Sequence, residues 1–304
     1  MNGENGEINF RVHWLSFTVH GSTRDAFALY DNFFRDIFGD LEDLGHGGRF
    51  FKTILKGLLE VKLYLDFSNQ DIECFQIELP GNACDHIPWD YFHALDIYLQ
   101  ANFEGQYKYK RLDLAFDNVP FTPQEVQSAI ENENYRSLAK KKTLKFHGSP
   151  FEERENGEIG TYTIEFGSDK SERKITVYNK RGYIRLEFQV TNDRAQIVAS
   201  DLFGESNITK WYEIMIGHLR DYIDFDMPWW SEFIESNSRA WAIISTPKEV
   251  SKEKLTEWIE TQVTPALSVL IDTEPPEIIE AMIRRGRNRR GPRYNLLLGE
   301  VHDG

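Results

Sequence analysis

The chain has 304 residues, 40% of them apolar and 13% aromatic, enough to bury a sizeable core in one large domain or two modest ones; a disordered chain is excluded. Its net charge of −14 argues, taken alone, against a nucleic-acid partner, but a binding surface needs only a local positive patch. Cys74 and Cys84 make neither a disulfide framework nor a zinc pattern and are compatible with a reducing cytosol. The first residues, Met1 to Glu7, are acidic and polar, unlike a signal peptide, and no apolar run nears the roughly 18 residues of a membrane span. A soluble, cytoplasmic protein with no membrane partner is expected.

Phe10 to Val19 alternates well enough for a strand. A helix is predicted from about Thr23, where Phe27, Tyr30, Phe33, Phe34, Ile37 and Phe38 recur at helical spacing, and Gly45-His46-Gly47-Gly48 breaks the chain. Strands are predicted near 49–55, 58–66 and 72–79, the last ending at the turn signal Pro80-Gly81. Trp89, Phe92, Leu95 and Leu99 mark a second amphipathic helix, followed by a strand over Tyr109–Phe116. Thr122-Pro123-Gln124-Glu125 is a helix start: Thr122 can cap the amide of Glu125, Pro123 fits the first helical position, and Glu125 can reach back. Residues 148–160 read as a Gly- and Glu-rich loop, with strands near 161–166, 173–179 and 184–190.

After about residue 193 the pattern turns mainly helical. It is clearest over Ser251–Ile271, where Leu255, Trp258, Ile259, Val263, Leu267 and Leu270 share one stripe, and Pro275-Pro276 then opens a tail. The order of elements implies an α+β fold, with an antiparallel sheet and a helical C-terminal part. The expected divisions are a disordered N-terminus over 1–9, an α+β domain over 10–192, a helical region over 193–272 packed on it, and a basic tail over 273–304.

Two segments carry polar groups at every second position. In the hairpin Lys174–Gln189, which turns at Gly182, pairing Asn179 with Ile184 sets Tyr178 against Arg185 and Thr176 against Glu187. One face then holds Thr176, Tyr178, Arg185, Glu187 and Gln189, and the other holds Ile175, Val177, Leu186 and Phe188 as core. In Arg111–Asp117 the polar face is Arg111, Asp113, Ala115 and Asp117. Two carboxylates four residues and about 13 Å apart on one strand cannot hold an ion unaided, but one of them with Glu187 from a neighbouring strand could. Such oxygen ligands suit Mg²⁺ or Mn²⁺. A plainer reading pairs Asp113 and Glu187 with Arg111 and Arg185 on a solvated face, and makes Tyr178 an ordinary strand tyrosine.

Beside a metal and cationic groups, a phenol can lose its proton and attack phosphorus, with Lys180 and Arg185 placed to stabilise phosphate charge. The eight histidines include no His-x-His pair and no His-Glu-x-x-His helix, and each reads as structural or exposed, least safely His20 and His46. Basic charge gathers at Lys140-Lys141-Lys142 with Lys145, and at Arg284, Arg285, Arg287, Arg289, Arg290 and Arg293; these are solvated segments or phosphate contacts.

Five segments in order now resemble a known family. They are Trp14–Thr18, Ile77–Cys84, Arg111–Asp117, Phe166-Gly167-Ser168 through Val177-Tyr178-Asn179-Lys180 into Arg185-Leu186-Glu187, and Trp258–Leu267. Together they resemble the replication initiation factor family of rolling-circle plasmids, which includes initiators of small Gram-positive plasmids and relaxases of some integrative conjugative elements. The resemblance implies a metal-dependent DNA strand transferase, a site-specific single-strand endonuclease. Such an enzyme nicks an origin through a tyrosine, stays attached to the 5′ phosphate and leaves a 3′ hydroxyl for a polymerase. By position, Tyr178 matches the motif tyrosine, with Tyr183 and Tyr162 as alternatives. Asp113 and Glu187 match the acidic residues that hold Mg²⁺ or Mn²⁺, with Asp117 a third candidate. Implied partners are origin DNA, as a double-stranded hairpin and single-stranded, and a host helicase and polymerase; homodimerisation is left open. Lys140, Lys141, Lys142, Arg284, Arg285, Arg287, Arg289 and Arg290 are the candidate DNA contacts. The acidic balance departs from what an origin binder leads one to expect, so the DNA surface must be local. Two other readings stand beside this one: a non-catalytic origin-binding protein of the same fold, and a metal-dependent nuclease that uses activated water.

Overall fold

Alternating apolar positions in the longest segments draw them into one antiparallel sheet whose core face cannot slip by a residue without exposing every buried side chain. The computed structural model describes residues 8–69, 71–137, 139–148, 162–180, 182–235, 241–242, 256 and 259–288. Its strands are β1 (Asn9–Val19), β2 (Glu42–Asp43), β3 (Phe51–Lys56), β4 (Lys62–Phe67), β5 (Phe75–Leu79), β6 (Tyr107–Asp117), β7 (Tyr135–Ser137), β8 (Leu144–His147), β9 (Thr163–Phe166), β10 (Arg173–Lys180), β11 (Tyr183–Thr191), β12 (Ile223–Phe225) and β13 (Trp241–Ala242). The main sheet runs β2-β3-β4-β5-β1-β6-β11-β10-β9-β8, with β13 parallel beside the start of β1, while β7 and β12 form a separate pair.

The helices are α1 (Thr23–Phe33), α2 (Arg35–Phe38), α3 (Gly81–Cys84), α4 (Trp89–Phe103), α5 (Pro123–Glu131), α6 (Asn192–Gly204), α7 (Ile208–Tyr222) and α8 (Pro228–Glu235), followed by Thr264–Thr273 and Pro276–Asn288. Leu15, Phe17, Ile77, Leu112, Leu114, Phe116, Leu186 and Phe188 line the core face and are fully buried. Helix aromatics cover them: Phe203 packs on Tyr109 of β6, and Tyr212 and Phe233 pack edge-on against Phe116. Each such burial stabilises by about 1.5–3 kcal/mol. The other face of the sheet carries the polar half of the alternation. The architecture is therefore α+β, as the order of elements implied.

The capping box at Thr122 and Glu125 forms, and Ser22 with Asp25 makes a second one at α1. The strand expected over 58–66 starts only at Lys62, because Leu58–Glu60 closes a 3-10 turn with Leu59 at φ 57°. The short strands β7, β8 and β12 carry too few residues to show a period. Asn9 already opens β1, and Ile8 before it is buried.

Of the stripe expected over Ser251–Ile271, Leu255 and Trp258 lie outside the described residues, and Ile259–Val263 forms a wide π-type turn into the next helix. The tail expected after Pro275-Pro276 is a helix through Asn288, since proline is well tolerated in a first helical turn. That helix contacts Thr264–Thr273, and the two leave Val269, Ile271, Ile278 and Ile283 exposed. Among the described residues, no helix is long and apolar enough to cross a membrane.

Candidate active site

Two register shifts build the open face. Between Val12 and Trp14 the pairing of β1 with β6 shifts by one, leaving His13 as the extra residue. Before it Phe10 and Val12 are buried in the core, and after it Leu15, Phe17 and Val19 are. The bulge therefore sends His13 and Trp14 to the open side together. A second shift between Ser16 and Phe17 leaves Lys110 as the extra residue of β6, beside Arg111. Gly81, the first residue of α3, makes room for His13: a Cβ there would lie 2.2 Å from the imidazole Cε1 and 2.7 Å from the His13 carbonyl oxygen.

The hairpin register is the one alternation predicts, with Asn179 opposite Ile184, Tyr178 opposite Arg185 and Thr176 opposite Glu187. On its other side β11 sets Arg185 against Asp117, Glu187 against Ala115 and Gln189 against Asp113. Glu187 thus sits diagonally between the two aspartates. The Tyr178 hydroxyl donates to Glu187 Oε1 at 2.6 Å, and His13 Nε2 lies 3.2 Å from the same oxygen. Arg185 Nη1 is 3.1 Å from His13 Nε2. Among the described residues, His13 Nδ1 and the Trp14 indole nitrogen are buried without a partner.

These contacts set the charges. Burial pushes the Glu187 carboxyl up, but the hydrogen bond and charge of His13, the Tyr178 hydroxyl and the Arg185 charge together hold it at about 2. Burial, followed by the Glu187 charge and hydrogen bond, pushes the Tyr178 phenol well above the ordinary tyrosine range. Burial also raises the Asp113 carboxyl, an effect only partly offset by Arg111, and Glu187 adds to it. Arg111 donates Nε to Asp113 Oδ1 at 2.9 Å and Nη2 to Oδ2 at 2.5 Å, while its guanidinium lies 4.4 Å above the Trp14 ring. Lys180 is lowered by burial and by the Arg185 charge.

Asp117 is differently placed. Arg185 grips it with Nε on Oδ1 at 2.5 Å and Nη2 on Oδ2 at 2.7 Å, and Arg11 Nη2 adds a third bond at 2.6 Å. Arg11 also pairs with Asp85 at 2.9 Å. Two arginines thus hold the Asp117 oxygens, so Asp117 serves as the anchor of Arg185. Arg185 is itself only 2% exposed, which makes it more a wall of the site than a free phosphate ligand.

Glu187, bonded by Tyr178 and near His13, and Asp113, held by Arg111 alone, are the pair that could hold a hard cation, Arg111 having to yield an Asp113 oxygen to it. Mg²⁺ is commonly held by one or two carboxylates, with waters and phosphate oxygens completing the shell. Among the described residues, no group of three or more His, Cys, Asp or Glu side chains converges as a ready cage, so substrate oxygens would complete such a shell.

Of the alternative tyrosines, Tyr183 shares the open face, with its hydroxyl 3.4 Å from Arg185 Nη2. Tyr162 turns to the helix side and bonds Gln127 of α5. Lys140, Lys141 and Lys142 are exposed before β8, with Lys141 bonded to the Glu131 carbonyl; Lys145 of β8 pairs with Glu165 at 3.3 Å. Arg284, Arg285 and Arg287 are exposed on the Pro276–Asn288 helix, and Arg289, Arg290 and Arg293 lie outside the described residues.

Sequence reasoning missed His13, Arg11, Asp85 and the platform role of Trp14. A signal for the first was present: the buried positions of β1 change from even to odd numbers across residue 13. A regular alternation cannot do that, and a bulge can.

A family model described as Replication initiation factor matches residues 107–283, a stretch that includes β6, β10 and β11. A search of curated proteins returns no match. Among solved structures, the chain is similar to the rolling circle replication initiator protein from Geobacillus stearothermophilus. The TM-score is 0.59 at 19% sequence identity, over 76% of this chain and 96% of that one. At that identity the likeness establishes the fold alone. With more than half of its length matched by the family model, and the acidic strand and tyrosine hairpin inside that match, the chain belongs to the replication initiation factor family.

Proposed function

We propose that this protein is a rolling-circle initiator or relaxase that nicks one strand of origin DNA through Tyr178. The Tyr178 oxygen attacks the scissile phosphorus, the bond from phosphorus to the 3′ oxygen breaks, and a 5′-phosphotyrosine link forms. The departing 3′ oxygen takes up a proton and remains as the primer hydroxyl. The phenol proton passes to Glu187 Oε1, 2.6 Å away, and this contact on the open face is the observation that carries the reading. The resting pair resists that transfer, because the carboxyl is held acidic and the phenol is held protonated. Mg²⁺ or Mn²⁺ held by Asp113 and Glu187 would supply charge that favours the phenolate and draws electrons from the phosphate. Arg185, fixed by Asp117, keeps a guanidinium edge beside the pair, and Lys180 at the end of β10 adds a cation for the phosphate.

The test is a denaturing gel of protein, Mn²⁺ and single-stranded origin DNA labelled at its 3′ end. The label should migrate with the protein, and Tyr178→Phe should abolish that band while DNA binding persists. Adduct at the wild-type level in Tyr178→Phe rejects the assignment and points to Tyr183. Cleaved DNA without adduct identifies an activated-water nuclease, and intact DNA with binding identifies a non-catalytic origin binder.

A further inference from the structure

The connection into β3 is a two-residue turn. Gly48 and Phe51 exchange both backbone hydrogen bonds at 2.9 Å, and the residues between them, Arg49 and Phe50, have φ of 53° and 72°. Such turns favour Asn and Gly, because a Cβ is crowded at positive φ, and a bulky aromatic there is an outlier. Packing does not compensate, since Phe50 is 80% exposed.

The turn is nevertheless held from both sides. The Arg49 guanidinium pairs with Glu78, whose side chain is 4% exposed, and lies 5.6 Å over the Tyr64 ring. The Ser68 amide donates to the Phe50 carbonyl at 2.8 Å, and the Ser68 hydroxyl donates to the same oxygen. Glu78 stands opposite Ser16 of β1, and Ser16 opposite Arg111 of β6. The anchor therefore lies on the open face, about 10 Å from Arg111 at two strand spacings. An exposed aromatic side chain is thus carried on a hydrogen-bonded turn at the flank of the open face, with Arg49 next to it in the chain and the exposed Lys52 two residues on.

We propose that Phe50 is a stacking platform for an unpaired nucleobase of the DNA strand that crosses this face. The assignment rests on the strand-transfer reading for its partner. Base stacking on an aromatic ring is indifferent to sequence, and adjoining cations contact the backbone, so the ligand class is single-stranded DNA. The strain at Arg49 and Phe50 fits this role, because a turn backbone fixed in advance loses little freedom on binding.

The test separates this site from catalysis by using Tyr178→Phe protein, in which no adduct forms, and a fluorescent mixed-sequence single-stranded 20-mer. Adding Phe50→Ala should weaken binding about tenfold, and Phe50→Trp should restore it. On a wholly abasic 20-mer, Phe50→Ala and its parent should bind alike. Equal affinity of Phe50→Ala and parent for the normal strand overturns the proposal, as does an equal loss on the abasic strand. A change in oligomeric state with Phe50→Ala overturns it in favour of a protein contact. No binding of single strands by the Tyr178→Phe parent overturns the DNA partner for the whole face, a failure distinct from that of Phe50 alone.

Discussion

Asp117→Ala tests whether Asp117 is an anchor or a ligand. The substitution removes three hydrogen bonds at once, two from Arg185 and one from Arg11. Arg11 keeps Asp85, but Arg185, 2% exposed, is left as a buried charge without its carboxylate. Breaking one side of a buried pair costs about 3–5 kcal/mol, far more than an exposed pair contributes. In a domain of this size that lowers the melting temperature by roughly 10 °C. Urea denaturation at pH 7, read by tryptophan fluorescence, measures the loss directly. A companion variant, Asp117→Leu with Arg185→Met, replaces the pair by apolar groups and should recover most of it, because the desolvation cost of both charges disappears. A loss below about 1 kcal/mol for Asp117→Ala would refute the buried-anchor argument. So would a double variant no more stable than the single one.

Gly81→Ala should misplace His13 even though the change is a single methyl, since the new Cβ meets both the ring and the carbonyl oxygen of His13. The expected result is loss of adduct formation with a stability cost of about 1–3 kcal/mol, and wild-type activity would contradict the packing argument. Glu187→Gln removes a carboxyl held at about 2 against an ordinary 4.5. A depressed carboxyl contributes stability that is present above its unfolded value and is lost as pH falls toward the folded one. Wild type should therefore exceed the glutamine variant at pH 7 by at most about 3 kcal/mol, with the gap closing between pH 4.5 and 2. A gap in urea stability that does not vary with pH would rule this out.

The polar faces of β6 and β11 were legible because period two is unambiguous when the opposite positions are Leu112, Leu114, Phe116, Leu186 and Phe188. The hairpin register followed from a short turn at Gly182. What alternation does not encode is which partner claims a polar side chain once it is on the face. Asp113 and Asp117 are equivalent in the pattern, four residues apart on one strand, yet two arginines take Asp117 and a single arginine takes Asp113. The arginine that claims Asp117 from β1, Arg11, lies 106 positions away in the chain. His13 was hidden for another reason: a bulge breaks the period that made the rest readable.

Three carboxylates on adjoining strands would repel one another in a half-buried setting, and the face assembles because arginines are interleaved among them. Arg185 and Arg11 neutralise Asp117, and Arg111, stacked on Trp14, neutralises Asp113. Glu187 is the exception. Its nearest donors are a tyrosine hydroxyl and an imidazole, with the Arg185 guanidinium farther off at 3.8 Å. A carboxylate beside a phenol and an imidazole has neighbours built of proton-carrying groups, whereas one locked to a guanidinium does not, because arginine does not give up its proton in a protein. Under the proposed strand transfer the chemistry of the face falls to Glu187 and Tyr178, and the aspartates differ in how many arginines hold them away from it.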